Sequence, residues 1–312
     1  MTIAVGLGLM EFPFSSANSY WEWVMMCENG GVDSIWQTDR LVSEQPFLEC
    51  VSAMAAIAGA TKRIKFGMNV VSVGLRDPLV LAKQCATIDM LSNGRFLPGF
   101  GIGSIKAADW RATNTETKSR GKRTNEALEI ISRLWNEKKV SFKGEHFNYC
   151  GATISPKPVQ SQLPMWIGGS SKAAIERTVN YGTGWQAGLE TPDEVAPVIK
   201  AIKTVLKSKN RHIEHDHYGA FFPFHFGSPN NKAVQKTYSF FSNQLGIDPY
   251  SRVVVGESSE IMGRINSFVA AGASKLILNP IGKNDEEIFY QTEKIISEIL
   301  PLIEKNNQKR VK

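Results

Sequence analysis

The sequence is poor in cysteine, in long apolar runs and in the short motifs that mark the commonest chemistries. Its 312 residues hold four cysteines, Cys27, Cys50, Cys85 and Cys150. No two form a C-x-x-C pair, which argues against a disulfide framework or a zinc ribbon. The first three fall in segments of helical period with an apolar face. That placement predicts buried, reduced thiols and a cytoplasmic protein. No stretch has 18 uninterrupted apolar residues, so no membrane-spanning helix is expected. Met1 to Gly6 lacks a charged leader and runs straight into a strand-like segment, unlike a secretory signal. G-x-S-x-G, Walker and H-E-x-x-H patterns are absent, so simple hydrolysis and ATP chemistry lose support.

What is present is ordinary for a globular chain: 42% apolar and 21% charged residues. The formal net charge is +6, but the basic residues are scattered. Part of the excess sits at Lys305 and in the terminal run Lys309 to Lys312. This reads as a basic, fraying end; no nucleic-acid partner is expected. A mild positive field would suit an anionic cofactor or substrate.

Short β-rich runs alternate with longer segments of helical period. Strands are expected at Ile3 to Leu9, Val32 to Gln37, Ile64 to Val71, Arg95 to Gly101, Met165 to Ile167, Gly184 to Leu189, His217 to Phe226 and Lys275 to Asn279. Each is followed by a helix. The clearest begins after Asp77, where Pro78 takes the first helical position. Lys139 to Tyr149 alternates like a hairpin outside this repeat, and residues 228 to 250 form a polar insertion. Eight strand-then-helix units predict an α/β (β/α)8 TIM barrel with insertions, in one domain over residues 1–312. The hairpin excursion falls at about 139–150 and the insertion at about 227–251. An open doubly wound sheet is the alternative.

In such a barrel the site lies at the C-terminal ends of the strands. Gly168, Gly169, Ser170 and Ser171 sit between the fifth strand and its helix. Free amides and the helix dipole there suit a phosphate; a tight turn with a serine cap is the bland equivalent. Gly99, Gly101 and Gly103 miss the spacing of a dinucleotide loop, which excludes the NAD fold. They are expected to clear space at the mouth for a flat ring or a phosphate. Asp39 and Arg40 end the second strand, able to bond a polar ring edge and to balance an anion. His212, His215 and His217 lack a completing ligand, so no metal is expected. His225 reads as a rim or core histidine. Phe221, Phe222, Phe224 and Phe226 suggest an apolar wall.

These segments together resemble the luciferase-like monooxygenases. Ala82-Lys83-Gln84, Ala86-Thr87, Asp89, Leu91-Ser92 and Gly94-Arg95 resemble one signature of that family. Pro156 to Gln160 followed by Trp166-Ile167-Gly168-Gly169-Ser170 resembles another, as does Gly184-Trp185. The resemblance implies reduced FMN as cofactor, with coenzyme F420 as the alternative. It implies that Gly168, Gly169 and Ser170 hold the cofactor phosphate with Gly103 and Ser104, and that Trp185 belongs to the same site. A cis non-prolyl peptide at the end of strand three is implied near Ser72-Val73, with Asn69 on the same strand. Asp39 matches the family's acidic residue, while Arg40 stands where His is usual and cannot shuttle protons at neutral pH. The first expectation is an FMN monooxygenase using oxygen on a small organic substrate; deazaflavin hydride transfer is the second. A non-catalytic flavin-binding protein and a flavin-free sugar-processing barrel are weaker readings. A homodimer and a flavin reductase partner complete what the resemblance implies.

Overall fold

The structure is a computed structural model and describes residues 2–311; of the basic terminus, Lys312 and the side chains of Arg310 and Val311 lie outside the described residues. Eight barrel strands appear in chain order. They are β1 (Ala4–Leu9), β2 (Ser34–Gln37), β3 (Lys65–Met68 and Val71–Ser72) and β4 (Phe96–Leu97 and Gly99–Gly101). Then follow β5 (Trp166–Gly168), β6 (Gly184–Gln186), β7 (Tyr218–Phe226) and β8 (Lys275–Pro280). All pair in parallel, β1 lying between β8 and β2. The two broken strands close the ring. The lower halves pair at Phe66↔Phe96 and the upper halves at Val71↔Phe100. The sheet therefore meets itself, and the open-sheet alternative falls.

The helices that follow the strands are α1 (Ala17–Asn29), α2 (Cys50–Ala60), α3 (Pro78–Leu91), α4 (Arg120–Asn136), α5 (Lys172–Tyr181), α6 (Pro192–Ser208), α7 (Ser258–Ala270) and α8 (Asp285–Lys294). The last continues to residue 311. None is long and apolar enough to cross a membrane. Helix α3 starts as its sequence dictates: the Asp77 carboxylate accepts from the amides of Leu79 and Val80. Cys27, Cys50 and Cys85 are buried on α1, α2 and α3.

Two apolar regions hold the barrel. Outward strand residues pack against the helices in one large core that includes Leu7, Phe66, Phe222, Phe224 and Leu278. The inward residues Trp36, Leu97, Trp166, Phe221 and Ile277 fill the interior. Trp36 and Trp166 meet edge to face at 5.8 Å. Such bulk requires a missing side chain opposite: a Cβ on Gly67 would lie 2.5 Å from the Trp36 ring. Strand period thus divides the four phenylalanines. Only Phe221 faces inward, and the others are plain core.

The excursion is a hairpin pairing Val140–Lys143 with Asn148–Ala152. The insertion holds helices at Lys232–Phe240 and Pro249–Arg252 and a strand, Val254–Gly256, that pairs with the upper end of β7. That strand was not expected. Ala233, Val234 and Phe241 form a small core with Ile281, against which Met10 and Leu189 pack. Met10 and Leu189 also pack against the interior residues. The insertion therefore covers one side of the mouth, over β1, β6 and β8.

Candidate active site

The opposite side of the mouth is built by the ends of β2 to β5. Asp39 lies just past β2 and is buried. Its carboxylate accepts from Arg76 Nη1 at 2.8 Å, Arg76 Nη2 at 2.7 Å and the Ser72 amide at 2.9 Å. Burial alone would lower the basicity of Arg76, but its hydrogen bonds with Asp39 and then Glu49 raise it further above the ordinary arginine range. A bidentate pair of this kind commits both Asp39 oxygens to Arg76, with Oδ2 also taken by the Ser72 amide. Its work is to fix the end of β3. Arg40 turns the other way, with Nη1 3.6 Å from Asp109 Oδ2. Asp109 Oδ1 also takes the Leu41 amide at 2.6 Å, tying this loop to the helix Ala108–Ala112. The adjacent residues Asp39 and Arg40 thus serve separate anchors.

Between its two halves β3 carries the cis non-prolyl bond. It joins Asn69 to Val70, on the expected strand and just before the Ser72-Val73 step near which the resemblance implied it. Val70 is half-buried, and its methyl groups face the neighbouring glycines. A Cβ on Gly101 would lie 2.5 Å from Val70 Cγ2, and one on Gly168 3.0 Å from the same atom. Gly99 makes room for the Met68 carbonyl, 2.1 Å from where its Cβ would stand. Gly99, Gly101 and Gly168 therefore clear space for β3 itself; for Gly99 and Gly101 the expectation was room at the mouth for a flat ring or a phosphate. Val73 is buried in the core rather than at the mouth. Gly103 has φ +73, and a side chain there would strike Ser72 Oγ at 2.9 Å. Ser104 is exposed, and its carbonyl accepts from Trp110 Nε1 at 2.9 Å.

The turn after β5 has the form of an anion cradle. Gly169 takes φ +105, a region open chiefly to glycine. Its amide reaches back to the Gln186 carbonyl, while the Ser170 and Ser171 amides have no protein acceptor among the described residues. Ser171 caps α5 through the Ala174 amide. Trp185 is fully buried, and Nε1 donates to the Gly169 carbonyl at 2.8 Å. It props the turn from behind and does not line the mouth. Ser170 donates its hydroxyl to Glu190, whose other carboxylate oxygen is buried without a partner. The β6 side of the cradle is therefore negative. Among the described residues no pair of free carboxylates faces the mouth, since both Asp39 oxygens are bonded to Arg76; the sugar-processing reading loses its catalytic groups.

Three inward polar atoms are buried without partners: Gln186 Oε1, Asn279 Oδ1 and Trp166 Nε1. Orphaned polar atoms are costly unless a ligand meets them. His225 is buried, with Nδ1 2.9 Å from the Ile281 carbonyl. The Gln291 amide nitrogen lies 3.2 Å from the same ring nitrogen. His217 Nδ1 bonds the Thr183 carbonyl.

Beside β6, Glu194 is gripped by both Arg252 terminal nitrogens and the Thr191 amide. The Arg252 hydrogen bonds and then that amide hold its carboxyl down at about 2, from an ordinary 4.5. A depressed carboxylate contributes stability that is complete above pH 4.5 and is lost as pH falls toward 2. Its side chain is half exposed, so screening keeps the effect below about 1 kcal/mol. Glu194→Gln should flatten the fall of melting temperature between pH 4.5 and 2. An unchanged slope would remove this pair as an acid-sensitive contact.

Sequence reasoning did not find Val70 or Arg76, and it gave Gln186 and Asn279 no role beyond lying at strand ends. Arg76 lies 37 residues from its partner, and no local pattern links them. Period-two alternation along β6 and β8 could have placed Gln186 and Asn279 inward.

A closed eight-stranded barrel with an anion cradle after β5 and orphaned polar atoms within defines a cofactor-binding barrel enzyme. A sequence model of the luciferase-like monooxygenases matches residues 7–274, and the chain belongs to that family. It is thus an oxidoreductase, as the resemblance implied. The F420-dependent glucose-6-phosphate dehydrogenase of Amycolatopsis mediterranei (strain U-32) is 26% identical over 308 residues, 86% of this chain and 90% of that protein. An F420-dependent secondary alcohol dehydrogenase, solved with an F420-acetone adduct, superposes with TM-score 0.83 at 16% identity, over 97% of this chain and 99% of that one. The oxygenating constituent of 3,6-diketocamphane monooxygenase from Pseudomonas putida, solved with FMN, superposes with TM-score 0.77 at 16% identity, over 96% and 98%.

Proposed function

We propose that the protein is a two-electron oxidoreductase that holds coenzyme F420 at the β2–β5 rim and acts on a small, uncharged organic molecule. The observation that carries it is the Gly169 turn, where the Ser170 and Ser171 amides have no protein acceptor among the described residues and the adjoining Gly168 lies against Val70. Curated relatives that align over most of the chain are F420-dependent, which supports F420 over FMN. FMN, the first expectation from sequence, is the second reading and is supported by the FMN-bound neighbour. The bound cofactor would supply hydride exchange, or oxygen activation if it is FMN.

The chain's own residues do the rest. Ser170 and Ser171 amides would take the phosphate, with Gly103 and Ser104 on the facing loop. Val70, set by the Asp39–Arg76–Ser72 bonds, would press against the ring. Gln186 Oε1 and Asn279 Oδ1 are acceptors for polar N–H groups reaching the interior. Met10, Leu189 and the insertion keep water from the covered side. Arg40, Arg76 and Arg252 are each paired with carboxylates, which favours an uncharged substrate over a sugar phosphate. Cytoplasmic residence, a homodimer and, for the FMN reading, a flavin reductase partner belong to the same proposal.

Gly169→Val tests the cradle. Its φ is forbidden to a β-branched residue, and its Cβ would sit 3.3 Å from Ala174 Cβ. Cofactor affinity should fall at least about tenfold, losing roughly one charge-assisted hydrogen bond, while the circular dichroism spectrum is kept. Unaltered affinity in the folded variant would dismiss the cradle.

A further inference from the structure

Beyond the cradle, on its α4 side, two arginines lack the counter-ions that their burial calls for. Arg177, on α5, is 8% exposed, and its Nε donates to Asn125 Oδ1 at 2.7 Å. Its terminal nitrogens have no acceptor among the described residues. Nη2 lies only 3.2 Å from where a Cβ on Gly121 would stand, so the guanidinium rests against the first turn of α4. Arg120 precedes that glycine. Its Nε is buried without a partner, and Nη1 reaches only the Thr117 carbonyl at a long 3.4 Å. Neither forms an ion pair with a carboxylate among the described residues, whereas Arg76 and Arg252 do.

Burial lowers the basicity of Arg177; the Glu176 carboxylate opposes this and Arg120 adds to it. Two close guanidinium groups with no carboxylate in ion-pair contact among the described residues are unfavourable in a partly buried place. Long side chains on a helix lean toward its N-terminus. Arg177 therefore lies alongside the opening turn of α5, which starts at the cradle. The first turn of α4, against which Arg177 Nη2 rests, has no side-chain cap, which leaves amides in that turn free for an anion. On the other flank Glu190 occupies the Ser170 hydroxyl, so an anionic chain leaving the cradle is repelled from β6 and drawn toward α4.

We propose that the crevice between the first turns of α4 and α5 is a second anion subsite, in which Arg120 and Arg177 bind the carboxylates of the oligoglutamyl tail of F420. The proposal rests on the F420 reading above and deepens it. The cradle amides suffice for one phosphodiester. FMN ends at its phosphate and has nothing further to offer two cations. F420 continues past its phosphodiester into a lactyl group and γ-linked glutamates, a polyanion that does.

The test is a fluorescence titration of the full chain with three deazaflavins: F420 carrying several glutamates, the same molecule without glutamates, and the chromophore lacking both phosphate and tail. The wild type should bind the polyglutamyl form at least about tenfold more tightly than the glutamate-free form, with the gap closing as salt is raised. Arg177→Gln should shrink that gap and leave affinity for the bare chromophore unchanged. Arg120→Gln should do the same and serves if loss of the Asn125 bond unfolds the first variant. Equal affinity for tailed and glutamate-free forms in the wild type overturns the proposal. So does a gap that survives both substitutions, or a loss equal for both forms, which would put the arginines on the phosphate instead. In each of those cases the cofactor reading stands. Failure of all three deazaflavins to bind removes the F420 reading and the subsite together.

Discussion

Arg76→Ala should destabilise the protein by roughly 3–5 kcal/mol, the usual cost of removing one partner from a buried ion pair. Asp39 is the reason. Its side chain is 2% exposed, and two of its three hydrogen bonds come from Arg76. Without them a carboxylate remains buried beside the single Ser72 amide. The damage spreads, because Arg76 also binds Glu49 at 2.9 Å, and Glu49 caps α2 through the Ser52 amide. The ends of β2, β3 and α2 loosen together, so cofactor affinity falls with stability. Urea denaturation measures the first quantity and fluorescence titration the second. A loss below about 1 kcal/mol, typical of an exposed pair, would show that this contact is ornamental.

The second large effect is at Gly101. A valine there would place Cβ 2.5 Å from Val70 Cγ2, a separation that forces Val70 toward the mouth. Overpacking of this kind costs about 1–3 kcal/mol. The larger consequence is functional: a displaced Val70 would fill the volume a ring needs, and cofactor affinity should fall by at least about a hundredfold, near 3 kcal/mol. Val70→Ala in the same chain should restore part of the binding, because it removes the colliding methyl groups. Full affinity in Gly101→Val, or no rescue by the second change, would show that Val70 is not the floor of the site.

Much of the barrel was legible because its signals are local. Asp77-Pro78 marked the start of α3 at the observed residue, and short β-rich apolar runs marked all eight strands. The family signature was legible too, yet most of it is scaffold. Asp89 accepts from the Val159 amide and Gln160 Nε2, and Arg95 donates to the Ile64 carbonyl and Thr61 Oγ1. These contacts splice loops to strands rather than touch the mouth. Trp185 is of the same kind, matched by pattern but buried behind the cradle. What escaped was long-range or brief. The Asp39–Arg76 pair joins two loops through space. Val254–Gly256 is three residues long and is a strand only because β7 extends past β6. The breaks in β3 and β4 follow from Pro98, which cannot donate to a ladder, and from the Asn69–Val70 segment facing it. The glycines after β4 advertised space without saying for what; the answer, Val70, comes from the neighbouring strand.

The most direct measurement is an equilibrium titration of the purified wild-type chain with F420 and, separately, with reduced FMN. The cradle beside Val70 predicts saturable binding of one tricyclic cofactor per chain, and the proposed F420 reading predicts that F420 binds more tightly than FMN. No saturable binding of either tricyclic molecule to the folded protein would contradict the assignment of this rim as a cofactor site.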